Sequence, residues 1–303
     1  MNPATYELLA RRVKHLGNLP AMPTILAALT EALSANASKA DIDKIVRTIS
    51  QDESLAAQCL RMANSALYRQ RGDVATVRES VLTLGLWRVR DLAFSCNLPL
   101  MFSGLNCVVP KEAFWRHSLA TAFLSQKLGS DFGGSSNEQV YLAGLLHDIG
   151  ILINALLFSE EFSGVLQEAI REQCFLESVE QRHFGFTHAE SGRIVADLWR
   201  LPLDVSEVIE FHHRPEAQAT NNEVTVIVGV ANQLCWKSGL GYGYSLSENG
   251  LLSMEALWGI LVRRFPNAEQ VHWADYQPIL ETYLTQSHEL AERVFGLSPA
   301  QPR

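Results

Sequence analysis

Apolar residues recur at three- and four-residue intervals along almost the whole of this 303-residue chain, while stretches that alternate apolar and polar residues are scarce. That period is helical, and it leaves little material for a sheet. After Pro23, the residues Ile25, Leu26, Leu29 and Leu33 form one stripe, and Ile42, Ile45, Val46 and Ile49 form another. Start signals precede such runs at Ser38/Asp41, Thr76/Glu79, Ser135/Glu138 and Asp204/Glu207. In each pair a small polar side chain caps the opening turn, and an acid three positions on reaches back to it. Only "VTVIVGVA", 224–231, is rich enough in β-branched residues to pass for a strand. It continues into "NQLCWKSG" without a turn signal and ends at Gly239, so it reads as a buried helix. The expected fold class is all-α.

At 47% hydrophobic and 19% charged residues, the chain can bury a substantial core. Its 25 basic and 33 acidic side chains leave a net charge of −8, which excludes a diffuse positive field for phosphate backbones and argues against general nucleic-acid binding. The basic runs "RRVKH" and "WRVRD" are short and mixed with apolar residues, as solvated helix faces are. Five cysteines, Cys59, Cys96, Cys107, Cys174 and Cys235, lie far apart with no paired short spacing. That spacing suits neither a disulfide framework nor a zinc knuckle, and fits a reducing compartment. The N-terminus lacks a secretory pattern, and no window is expected to reach the ~18 apolar residues of a membrane span. The expected location is the cytoplasm, with no membrane partner.

Composition shifts at "FSGLNCVVP", 102–110, which divides the chain into an N-terminal helical lobe, 1–108, and a histidine-bearing lobe with C-terminal helices, 109–303. Loop-rich breaks follow at 212–223 and 238–250, and "GYGYS", 241–245, reads as a flexible turn.

Within the second lobe, "LAGLLHDIGIL", 142–152, sets His147 and Asp148 side by side in an apolar helical run. Burying both is costly unless something compensates the charge. His117, His188 and the His212–His213 doublet sit in similar apolar contexts, unlike His15, His183, His272 and His288. A single buried histidine is ordinarily bonded to a backbone carbonyl. Five of them with an aspartate are hard to explain as independent core choices. Imidazole nitrogens and a hard carboxylate oxygen are ligands for one divalent transition metal ion or a bridged pair, and such ions activate water and hold phosphate oxygens.

The blocks "LPAMPTILAALTEAL" (19–33), "SQDESLAAQCLRMANSALY" (50–68), "TVRESVLTLGLWRVRDL" (76–92), "HDIG", "FGFTHAESGRIVADLWRLP" and "HH" follow one another in an order that resembles the HDOD family, a signalling branch of the HD-domain superfamily. The resemblance runs from about residue 15 to about residue 215. It implies an HD-type helical core packed with an N-terminal helical lobe. It places the superfamily's His, His-Asp and late Asp on His117, His147, Asp148 and Asn232, the last a departure that removes a carboxylate. It also matches His188, His212 and His213 to histidines used by the related HD-GYP cyclic-dinucleotide phosphodiesterases. Against that class, "HHRPEAQATNN" stands where their acid and Gly-Tyr-Pro loop would follow, and Ile151 replaces the expected lysine.

The expected metal ligands are therefore His117, His147, Asp148, His188, His212, His213 and Asn232, with His147 and Asp148 the candidates for catalysis. In the first lobe, Asn64, Ser65 and Tyr68 lie at a helix C-terminus, where they cap it, contact a partner, or do both. The expected function is regulatory: a signalling protein that acts by binding another protein, its HD site degenerate or metal-stabilised. The alternative is a metal-dependent phosphohydrolase acting on a nucleotide or cyclic nucleotide. A nucleotide-binding sensor is a variant of the first reading.

Overall fold

The computed structural model describes residues 3–14, 20–36, 41–64, 73–105, 107–132, 138–215, 223–247 and 251–295. Among the described residues there is no strand. The helices run α1 (Pro3–Lys14), α2 (Thr24–Asn36), α3 (Ile42–Ser50), α4 (Glu53–Ala63), α5 (Val77–Leu84), α6 (Leu86–Met101), α7 (Lys111–Phe132), α8 (Val140–Leu146) and α9 (Ile149–Leu157). They continue as α10 (Ser159–Glu172), α11 (Leu176–Phe184), α12 (His188–Leu198), α13 (Leu203–Phe211), α14 (Glu223–Lys237), α15 (Met254–Arg264) and α16 (Trp273–Phe295). The β-branched run at 224–231 lies inside α14, whose chain turns out through Gly239 at φ +76°.

The chain divides into one unit of Pro20–Gly104 and another of Met1–Leu19 with Leu105–Arg303. In the first, α2 and α6 pack together and α4 lies against α3, α5 and α6. Leu26, Leu29, Ile49, Leu55 and Phe94 fill its core. The expected division at 108/109 differs from this by four residues at the break and, more, at the N-terminal end. Helix α1 belongs to the larger unit, because its buried Leu9 and Val13 face α9 and α12 and Arg12 lies over the Phe158 ring at 5.2 Å.

Capping explains several boundaries. Thr76 and Glu79 form the expected reciprocal box at α5. Asp41 caps α3 by accepting from the Lys44 amide at 2.9 Å, while Ser38 and Ser135 lie outside the described residues. The box expected at Asp204/Glu207 does not form. Pro202 precedes the first turn of α13 and leaves Asp204 inside the helix. A start signal not anticipated lies at α12, where Glu190 accepts from the Thr187 amide at 2.9 Å.

In the larger unit, α7 is the central helix, packed by α8, α14 and α16. The stretch Val140–Leu157 is long and apolar enough to cross a membrane by composition, contrary to expectation. It is 89% buried inside the fold and breaks into α8 and α9 at His147–Asp148, so it serves as core. Helix α9 then crosses α12 at contact distance. A Cβ on Gly150 would stand 1.9 Å from the His188 carbonyl oxygen, which is why "HDIG" ends in glycine.

Candidate metal centre

Helix ends converge on one carboxylate. His147 caps the C-terminus of α8, Asp148 the N-terminus of α9, His188 opens α12, and His212 caps α13 with His213 after it. Only His117 comes from the middle of a helix, α7. A helix C-terminus has unpaired backbone carbonyls and an N-terminus favours negative charge. The local geometry follows from both facts.

Four of the five Nδ1 atoms are tied outward. His147 donates to the Gly144 carbonyl at 2.7 Å, His212 to the Ile209 carbonyl at 3.0 Å, and His117 to the Leu240 carbonyl at 2.5 Å. His188 donates through Nδ1 to Glu180 Oε2 at 2.6 Å, and its backbone amide donates to the same oxygen at 2.8 Å. Glu180 is itself fully buried and accepts from Asn154 at 2.8 Å on its other oxygen. With the proton held on Nδ1, the Nε2 atoms of His117, His147 and His212 are left to present lone pairs inward.

Those nitrogens surround Asp148. His188 and His212 Nε2 lie 3.1 and 3.2 Å from Oδ1. His147 and His117 Nε2 lie 2.7 and 3.5 Å from Oδ2, to which the Tyr242 hydroxyl also donates. His213 Nε2 lies 2.9 Å from that of His188, and the His117 and His147 Nε2 atoms are 3.3 Å apart. Two donor groups result, sharing Asp148: one with His188, His212 and His213, one with His117 and His147. His117 and His147 are fully buried and Asp148 is 2% exposed.

Acceptors facing one another at these distances repel unless a positive charge, a proton on an imidazole or a bound cation, sits among them. The cluster's own titration reflects that need. Burial pushes His147 down to about 4 against the pull of Asp148. Burial also opposes charge on His188, but Glu180 and Asp148 outweigh it and hold that imidazole well above its usual range. Burial and the neighbouring imidazoles His212 and His188 hold His213 well below it. Although burial opposes ionisation of Asp148, the surrounding histidines keep its carboxyl well below the usual carboxylate range. Asp148 Oδ1 and His212 Nε2 are nonetheless buried without a hydrogen-bond partner. Imidazole nitrogens, a carboxylate and orphaned acceptors together suit a divalent transition metal ion.

Of the residues expected from sequence, the structure gathers His117, His147, Asp148, His188, His212 and His213. Asn232, on α14, is buried with its Oδ1 unpartnered. In the first lobe, Asn64 caps α4 by donating to the Leu60 carbonyl at 3.0 Å and clamps Val74 through two bonds of 2.8 Å. Ser65 and Tyr68 lie outside the described residues.

Two site residues escaped the sequence reading. "GYGYS" is no free turn: Tyr242 is 4% exposed and Tyr244 donates to the Cys174 carbonyl at 3.2 Å. Glu180 carries no local signal, being one of several charged residues in the short helix α11. The signal for Tyr242 was an aromatic flanked by glycines, since Gly241 lets the chain pass against the Trp236 ring.

The HDOD domain family model matches residues 19–215. An HDOD domain protein of unknown function from Geobacter sulfurreducens is similar over 97% of this chain and 99% of its own, with 26% identity and a TM-score of 0.81. A candidate phosphohydrolase from Shewanella amazonensis shares the fold over 94% of this chain and 97% of its own, at 20% identity and a TM-score of 0.69. A candidate signal transduction protein from Marinobacter aquaeolei does so over 96% of this chain and 66% of its own, at 22% identity and a TM-score of 0.70. An uncharacterized Treponema pallidum protein is 23% identical over 230 residues, 75% of this chain, and the chain spans 44% of that relative's length.

Proposed function

We propose that this chain, which belongs to the HDOD domain family, is a signalling protein that acts by binding another protein, with its His/Asp cluster holding a divalent transition metal as part of the fold. One observation carries the structural role of the cluster: both oxygens of Asp148 are surrounded by protein groups in a buried setting. A hydrolytic metal site keeps an open position for water and substrate, whereas a structural site is closed by protein ligands. The chain departs from the phosphodiesterases in the same direction, with Asn232 for a carboxylate, Ile151 for a lysine and no Gly-Tyr-Pro loop after His213.

Bound among these donors, a divalent ion supplies the positive charge that the facing lone pairs lack. The residues do the rest. Asp148 joins the ends of α8 and α9 to those of α12 and α13 through one carboxylate, and Glu180 fixes the His188 ring. We place the protein's action in the cytoplasm, where a protein partner would read the helical surface.

The test combines elemental mass spectrometry of chelator-free protein with a phosphoester screen. Bound metal without turnover is the expected result. Hydrolysis at an ordinary enzymatic rate, abolished by His147→Ala, would overturn it. That outcome would favour the second reading, a metal-dependent phosphohydrolase acting on a nucleotide or cyclic nucleotide. Its support is the pair of donor groups bridged by Asp148, an arrangement suited to clamping a phosphate between two ions.

A further inference from the structure

The segment after α14 is pinned across the cluster. Leu240 accepts from His117, Gly241 lies so close to Trp236 that a Cβ would come within 2.3 Å of the ring, and Tyr242 turns inward. Its ring stands 4.8 Å from that of His117, 5.1 Å from Trp236 and 5.8 Å from Phe114. Farther on, Tyr244 bonds to Cys174 and the Ser247 amide donates to the Gln173 carbonyl at 2.7 Å. The strap is thus fastened at both ends, with the Tyr242 hydroxyl delivered to Asp148 Oδ2.

This makes the two halves of the cluster unequal. In the Oδ1 half, Asp148 Oδ1 and His212 Nε2 lack hydrogen-bond partners, and four protein donors are at hand. Their separations of 2.9, 3.1 and 3.2 Å approach the spacing of about 3.3 Å between donors that sit about 2.0 Å from a tetrahedral ion. In the Oδ2 half, the His, Cys, Asp and Glu ligands at hand among the described residues are His117, His147 and the shared aspartate, and Oδ2 already accepts a hydrogen bond from Tyr242. The hydroxyl takes one of the two lone pairs of Oδ2, and the Tyr242 ring, 4.8 Å from that of His117, crowds the space beside it.

We propose that Tyr242 closes the His117–His147 half, so that the chain holds one divalent ion, on Asp148, His188, His212 and His213, and that removing the Tyr242 hydroxyl admits a second. The proposal rests on the metal-holding reading above and adds its regulation: the 240–244 strap decides whether the three-donor half, the one with an open position, is available.

The test is metal stoichiometry on the full chain, stripped with chelator and titrated with Zn²⁺ by calorimetry, then checked by elemental analysis after desalting. The wild type should take one equivalent and Tyr242→Phe two, with Tyr242→Phe/His117→Ala returning to one. Two equivalents in the wild type, or one in Tyr242→Phe, overturns the role of Tyr242 while leaving a metal site standing. No binding by the wild type removes the metal reading itself. Should Tyr242→Phe fail to fold, single substitutions carry the test. His117→Ala should keep the one equivalent and His188→Ala lose it, and the reverse pattern overturns the proposal.

Discussion

A methyl group at Gly150 has nowhere to go, since the atoms it would meet, the His188 carbonyl oxygen at 1.9 Å and the Gly192 amide nitrogen at 2.7 Å, are both backbone. Backbone cannot swing aside as a side-chain tip can, so α9 and α12 would have to separate and carry Asp148 away from His188. Gly150→Ala should therefore destabilise the protein by about 3 kcal/mol or more, read from urea unfolding. A change below about 1 kcal/mol would mean that the two helices are not in contact there. Glu180 acts at one remove, orienting His188 through two bonds to a single oxygen. Glu180→Gln should weaken metal binding about 10–100-fold, as loss of an outer partner does, and unchanged affinity would show that His188 is held without it. At this scale the histidines and Asp148 were legible because polar doublets in apolar runs are conspicuous. Glu180 and Tyr242 were not, because their burial is decided by elements far away in sequence.

Helices, by contrast, were mostly legible from period and caps. Thr76/Glu79 marked its start correctly because a small polar cap and an acid fell outside the apolar run. Asp204/Glu207 failed because the proline two residues earlier already set the backbone for the first turn. The single run at 142–152 became two helix ends at His147–Asp148, and that break supplies the unpaired carbonyl that orients His147. Burial within helices also sets thiol chemistry. Cys59 on α4, Cys96 on α6 and Cys235 on α14 are pushed up to about 12 by burial, so they stay protonated at pH 8. Burial also raises the thiols of Cys107 and Cys174, but these are half-buried in loops and so open to a reagent. A disulfide reagent added to native protein at pH 8 should label those two first and the other three only on unfolding. Five equally fast thiols would contradict the packing of α4, α6 and α14.

Across the whole molecule, the all-α class and the ordered HDOD blocks were visible in the sequence, and the family match over 19–215 agrees with them. The place of α1 was not, since its packing partners, α9 and α12, lie more than a hundred residues downstream and no local pattern encodes such a contact. Nor could composition tell core from membrane span at Val140–Leu157, where the apolar content is the same and only burial decides. The central claim is that the ends of four helices are gathered around a divalent ion by Asp148. Its most direct test is the metal content of full-length protein purified without chelator, beside a folded Asp148→Ala variant. A divalent transition metal in the wild type and none in the variant is the predicted result. A folded wild type that holds no metal, and takes up none on titration, would contradict it.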